Sequence, residues 1–324
     1  MLSISQYREA FLDYLSEKIT TKEPVNLYEP ITYILNLGGK RLRPVLVLMT
    51  TEIFGTSYKK ALDAALAIEV FHNFSLVHDD IMDSAPLRRG KETVHERWDL
   101  NTGILSGDTM LINAYQLFEN YEGPVFKELA QLFTKTAIQV CEGQQYDIDF
   151  ESRENVEIED YLKMIEFKTA VLVGASLQMG AIVAGAPEES KKALYEFGCL
   201  LGIAFQLQDD YLDAFGDPKT FGKQLGGDII ENKKTFLYLT ALQEAEKADA
   251  SQLEHLYSIN PSDSIGKIEA VKSIFEQSGA SELTREEIKK YTKQAFDVLD
   301  QIDLPENKKE LLRKFGVSLM EREV

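Results

Sequence analysis

The chain has 324 residues, with 53 Asp and Glu against 35 Lys and Arg, for a formal charge of −18. This argues against a nucleic-acid partner, because phosphate backbones are held by an excess of Lys and Arg spread over one face. Two isolated cysteines, Cys141 and Cys199, form no CxxC and are far apart, so neither a zinc site nor a disulfide framework is expected, and both read as core residues.

The opening stretch MLSISQYREAFLDYLSEK is charged and amphipathic and lacks the unbroken apolar run of a signal peptide or membrane span. A cytoplasmic protein without stable membrane insertion is expected. Apolar residues recur at three- and four-residue spacing, as in Tyr7, Phe11, Leu12 and Leu15, and in Leu62, Ala65, Leu66, Ile68 and Phe71. Alternating strand-like runs are rare, so the spacing predicts an all-α fold. Breaks fall at Gly38-Gly39, Gly55-Thr56-Ser57, Ala85-Pro86, Gly123-Pro124, between Asp147 and Val156, at Gly185-Ala186-Pro187, and between Phe215 and Asn232. Residues 171–186 and 200–207 are small or apolar nearly all round, which predicts central helices. The expectation is one large helical bundle spanning residues 1–324.

The candidate chemistry lies in a few segments. Gly38-Gly39-Lys40-Arg41-Leu42-Arg43-Pro44 combines a turn that admits close backbone approach with a proline suited to a helix start, which makes an anion site beside Lys40 and Arg43. The run from His72 to Asp83 is an apolar helix ending in Asp79, Asp80 and Asp83. Asp79 and Asp83, four apart, share a face. Like charges at that spacing repel, so a cation is expected between them. Arg88 and Arg89 follow in a turn, suited to two-pronged phosphate contacts. Phe205 to Asp213 repeats the pattern with Asp209, Asp210 and Asp213. Lys223 then lies in a glycine-rich loop, and Lys233-Lys234-Thr235 follows.

Each of these features alone has an ordinary reading. A DDxxD string at a helix end is often a solvated terminus, single cations are surface charges, His72 on an apolar face is a core histidine, and Lys168 starting an apolar helix is an end cap. Four cation groups placed beside carboxylate pairs or glycine turns point instead to a bound diphosphate with magnesium, which favours hard carboxylate oxygens and shares itself with phosphates.

GGKRLRP, DDIMD with RRG, FKTA, FQLQDDYLD, GKQLGGD and KKT, in that order, resemble the trans-isoprenyl diphosphate synthases, the polyprenyl synthetase family that includes farnesyl and geranylgeranyl diphosphate synthases. The resemblance runs from about Tyr28 to Thr240; beyond it the chain matches only in being helical. It implies an isoprenoid-synthase bundle with a central cavity, a homodimer, and magnesium-dependent condensation of isopentenyl diphosphate with an allylic diphosphate. On this resemblance Asp79 and Asp83 hold the first metal ions and Asp209 leads the second set, with Asp80, Asp210 and Asp213 as outer or alternative ligands. Arg88, Lys168, Lys223 and Lys233 grip the allylic diphosphate. Lys40, Arg43, His72 and Arg89 form the isopentenyl diphosphate pocket, and oxygens of Thr169 and Gln206 lie near the developing cation. No protein nucleophile is required.

In this family the residues before the first aspartates line the product tunnel. Phe74 and Ser75 stand there, with Phe74 about 7.5 Å down the helix from Asp79. A single ring as the floor favours a C20 product, with C15 next. The competing readings are a class I terpene cyclase and a non-catalytic subunit of a heteromeric prenyl synthase; the two intact aspartate clusters count against both.

Overall fold

The computed structural model describes residues 1–217, 225–261 and 263–320. The chain folds as two compact units, Met1–Thr136 with Ala175–Tyr195, and Ala137–Gly174 with Glu196–Val324. Helices predominate in both, as the apolar spacing predicts.

The first unit contains α1 (Ile4–Lys18), α2 (Val25–Asn36), α3 (Leu42–Ile53), α4 (Leu62–Met82), α5 (Val94–Arg97), α6 (Leu100–Gln116) and the start of α7 (Gly123–Ser152). It also holds the end of α9 (Val171–Val183) and the start of α10 (Glu188–Phe215). In α4, Ala64 to Ile68, Val70 and Phe71 are all buried, so the helix is covered on every side and forms the unit's core. Phe71 meets Phe133 edge-on at 5.1 Å, and Phe118 meets the same ring at 5.1 Å. Each such buried ring contributes about 2 kcal/mol through area removed from water. Small residues set how closely the helices pack. A Cβ at Gly103 of α6 would sit 2.9 Å from Ile81 of α4, and one at Gly107 would run into the His78 ring.

One departure from an all-helical reading follows α4. Leu87–Arg88 and Lys91–Glu92 pair as a two-rung antiparallel hairpin, Leu87 opposite Glu92 and Arg88 opposite Lys91. Its two-residue turn, Arg89-Gly90, has φ 54° and 73°. Positive φ at both turn positions matches the right-handed strand twist, and glycine at the second lowers the cost.

In the second unit, α8 (Ile158–Ile165) passes through a π-turn, Glu166–Ala170, into the start of α9. The whole stretch Ile158–Val183 is long and apolar enough to cross a membrane by length and composition, but 72% of its most apolar window is buried within the protein, so it is a core helix. The unit continues with the end of α10, α11 (Gly227–Ile230), α12 (Phe236–Glu244), α13 (Lys247–Leu256), α14 (Ile265–Gln277), α15 (Ala280–Gln301) and α16 (Glu306–Met320). The break expected between Asp147 and Val156 is a short one. α7 continues to Ser152, and Glu157 starts α8 through a reciprocal cap with Asp160.

Only one of the two cysteines is a core residue. Cys199 is buried, but Cys141 is exposed. Its neighbour Val140 takes the inward position on α7, and one residue is about 100° of helical rotation.

Candidate active site

In the first unit the glycine pair, α4 and the hairpin bring together the predicted basic residues. Gly38 and Gly39 have φ 87° and 117°, a region costly for a side chain, and a Cβ on Gly39 would lie 2.9 Å from the Arg89 guanidinium. Arg89, at the hairpin tip, donates to the Gly38 carbonyl oxygen. Arg41, also at positive φ, turns inward, is buried, and donates to Glu69 of α4 and to the Leu35 carbonyl. That inward turn leaves Lys40 exposed and puts Arg43 in the first turn of α3.

Arg43 Nη1 lies 3.2 Å from His72 Nε2. An arginine only donates, so Nε2 accepts and the imidazole is neutral. Burial and the surrounding guanidiniums of Arg43, Arg89, Arg88 and Arg41 hold His72 well below the usual histidine range. Burial likewise lowers Arg43 and Arg89. Cations crowded at this density, with Glu69 already engaged by Arg41, favour an anion that would relieve their mutual repulsion.

The carboxylates of the first cluster differ in their surroundings. Asp80 is buried and takes both prongs of Arg88, Nε at 2.7 and 2.8 Å and Nη2 at 2.6 Å. Burial raises the Asp80 carboxyl despite that arginine. Arg88 also reaches Asp79 Oδ2 at 3.3 Å, so this guanidinium bridges Asp79 and Asp80, whereas the spacing predicts a cation between Asp79 and Asp83. Asp79 is half-buried and Asp83 is exposed, capping the C-terminus of α4. Phe74 is buried between Phe71 (ring centroids 5.5 Å) and His78 (4.8 Å), and Ser75 donates to the His72 carbonyl.

In the second unit the π-turn presents Lys168 and Thr169. Lys168 Nζ lies 2.5 Å from Asp147 Oδ2 of α7. Thr169 Oγ1 donates to Gln206 Oε1 at 3.1 Å, and Gln206 Nε2 donates to Asp210 Oδ1 at 2.8 Å. Asp210 also accepts from the Tyr161 hydroxyl. Burial pushes the Asp210 carboxyl up to about 7, against the pull of those two hydrogen bonds. Asp210 is thus occupied in holding Gln206, while Asp209 beside it on α10 is half-buried. Asp213 accepts from the Asp228 backbone N–H at 3.0 Å. The Asp228 carboxyl is raised by burial and by the neighbouring Asp210 and Asp213.

Lys233 and Lys234 part company. Burial opposes the charge on Lys233, but Glu231, at 2.9 Å, and Asp228 outweigh it and raise the ammonium. Lys234 donates to the carbonyls of Phe150 and Arg153 and so closes the C-terminal end of α7. Lys223 lies outside the described residues.

Sequence reasoning missed Glu69, Asp147, Tyr161 and Asp228 as parts of these networks. Glu69 carried a usable signal, since a lone carboxylate in an apolar helix needs a buried partner. Asp147 and Tyr161 carried none, because their partners lie on other helices.

The Polyprenyl synthetase family model matches residues 24–275. The chain is 37% identical over 342 aligned residues to geranylfarnesyl diphosphate synthase of Natronomonas pharaonis, covering 99% of this chain and 97% of that one. A crystal structure of geranylgeranyl pyrophosphate synthase shares 51% identity at a TM-score of 0.96 over 100% of both chains. A geranylgeranyl pyrophosphate synthase from Corynebacterium glutamicum, solved with isoprenyl diphosphate and magnesium, shares 28% identity at a TM-score of 0.85, covering 99% of this chain and 98% of that one. With the ordered motifs, the all-helical fold and the cation and carboxylate clusters in place, the chain belongs to the polyprenyl synthetase family and is a prenyltransferase.

Proposed function

We propose that this prenyltransferase condenses isopentenyl diphosphate with allylic diphosphates to give geranylgeranyl diphosphate, C20. The observation that carries the reading is full-length likeness, at 51% identity, to a structure named geranylgeranyl pyrophosphate synthase in a chain that keeps both aspartate clusters. Phe74 supports the length, since its buried ring, backed by Phe71, stands about 1.4 turns before Asp79.

Asp79, Asp83 and Asp209 are the assigned metal ligands. Asp79 and Asp209 are half-buried and Asp83 is exposed, so each offers hard carboxylate oxygens at a helix surface. That fits magnesium, which binds through one or two carboxylates and completes its shell with substrate phosphates and water. When bound it neutralises the diphosphate leaving group. Arg88, Lys168, Lys223 and Lys233 grip the allylic diphosphate in this reading, and Lys40, Arg43, His72 and Arg89 take the isopentenyl diphosphate. Neutral His72 serves as an uncharged hydrogen-bond partner that fixes Arg43. The oxygens of Thr169 and Gln206 face the allylic carbon as its C–O bond breaks. The double bond of isopentenyl diphosphate attacks that carbon, a new C–C bond forms, and a proton leaves to the released diphosphate.

The active form is a cytoplasmic homodimer in this proposal. The dimer is supported by an apolar surface along α6, where Leu105 and Ile112, seven residues apart, are 58% and 67% exposed. Ile112→Asp is expected to sediment as a monomer.

The deciding experiment incubates purified protein with isopentenyl diphosphate and dimethylallyl, geranyl or farnesyl diphosphate, with and without magnesium, and reads products by mass. Magnesium-dependent linear C20 diphosphate is expected. A C15 or C25 product would overturn the length, and cyclised hydrocarbon or no turnover would overturn the reaction.

A further inference from the structure

Two mid-helix glycines in the second unit sit against the π-turn Glu166–Ala170 from different helices. A Cβ on Gly143 of α7 would run into the Lys168 backbone nitrogen and stand 2.7 Å from the Phe167 carbonyl carbon. A Cβ on Gly202 of α10 would stand 2.6 Å from Ala170 Cα and 2.8 Å from its Cβ. These obstacles are mostly backbone, so no side-chain rotation relieves them. Glycine inside a helix costs about 1 kcal/mol relative to alanine, and close packing is what offsets that cost here.

The same pattern then repeats one turn along each helix. Four residues past Gly143, Asp147 takes the ammonium of Lys168 at 2.5 Å, and four residues past Gly202, Gln206 takes the hydroxyl of Thr169 at 3.1 Å. Residues four apart share a helix face, so each glycine lets the backbone in and the residue one turn on holds the side chain. Extra-residue turns inside helices occur disproportionately at functional sites.

We propose that Gly143 and Gly202 are positioning residues that clamp the π-turn, and that Asp147 acts with them to fix Lys168 toward the allylic diphosphate. This rests on the reading of Lys168 and Thr169 as allylic-side groups. The clamp sets where those two side chains stand before substrate arrives. It has no role toward isopentenyl diphosphate, whose assigned residues belong to the first unit.

The test compares Gly143→Ala, Gly202→Ala and Asp147→Asn with wild type in steady-state kinetics for each substrate and in amide hydrogen exchange over residues 166–171 without substrate. Misplacing the turn is expected to raise the allylic KM about tenfold, with the isopentenyl KM within about twofold. Exchange over the turn should quicken in both glycine variants. Asp147→Asn adds no heavy atom and keeps the helix packing, so it reports even where an alanine variant does not fold. Moving the methyl group across the contact, in Gly202→Ala with Ala170→Gly, should restore part of the allylic KM. Folded variants with wild-type allylic KM and wild-type exchange overturn the clamp, as does an equal rise in both KM values. Lys168→Ala separates the two ideas: wild-type kinetics there overturn the role given to Lys168, whereas a defect there with normal glycine and Asp147 variants overturns the clamp alone.

Discussion

Arg41 and Glu69 form an ion pair with 2% and 3% of their side-chain surfaces exposed, and the same carboxylate accepts from Asn73 Nδ2 at 3.1 Å. The pair fixes the segment that carries Lys40 and leads into α3 at Arg43. Removing one partner leaves the other charge buried, so Glu69→Leu is expected to cost about 3–5 kcal/mol in urea unfolding. The double variant Arg41→Met with Glu69→Leu should recover most of that loss, because both desolvation penalties disappear together. If the double variant is as unstable as the single one, the loss comes from packing and not from the stranded charge.

Asp79→Ala and Asp209→Ala each remove a proposed metal ligand from a helix that is otherwise held by apolar packing. Turnover should fall by about 10²-fold or more with the far-ultraviolet circular dichroism unchanged. Asp210→Asn offers a contrast, since Asp210 holds Gln206 from behind through a 2.8 Å hydrogen bond. Its activity should drop less, and retained activity in either alanine variant would remove that residue from the ligand set.

Phe74→Ala opens the space between the rings of Phe71 and His78. The product should lengthen by at least one C5 unit in mass analysis, and stability should fall by about 3–5 kcal/mol as for other buried Phe→Ala changes. An unchanged product would make Phe74 a packing residue only.

His72 is held neutral, well below its ordinary value of 6.5, first by burial and then by the arginines around it. Below pH 6.5 the unfolded chain binds a proton there that the folded chain refuses, so this residue makes stability fall as pH drops, by at most about 1.4 kcal/mol per pH unit. Asp210, raised to about 7, acts in the opposite sense, because its folded form binds the proton more readily than the unfolded chain. Comparing His72→Gln with wild type cancels the Asp210 contribution. The variant's stability should fall less steeply than wild type between pH 6.5 and 5 in urea titrations, and identical slopes would show that His72 does not resist protonation.

The helices and both aspartate clusters were legible in the sequence because helical geometry ties residue i to i+3 and i+4, and that spacing is written in the chain. Asp79 and Asp83 therefore share a face whatever surrounds them, and the Gly38-Gly39 turn announces itself by composition. The Arg89-Gly90 hairpin was legible only as a turn, since two rungs are too short to show alternation.

The sequence by itself determined which residue types were present for diphosphate chemistry and where the helices carrying them break. Only the tertiary structure decided which of those residues are occupied. Arg41 with Glu69, Lys168 with Asp147 and Tyr161 with Asp210 lie 28, 21 and 49 positions apart. Pairings at that separation depend on which helices pack together and how closely, and that closeness was set by glycines such as Gly143 and Gly202, whose place in a helix looks unremarkable until the neighbouring backbone is known.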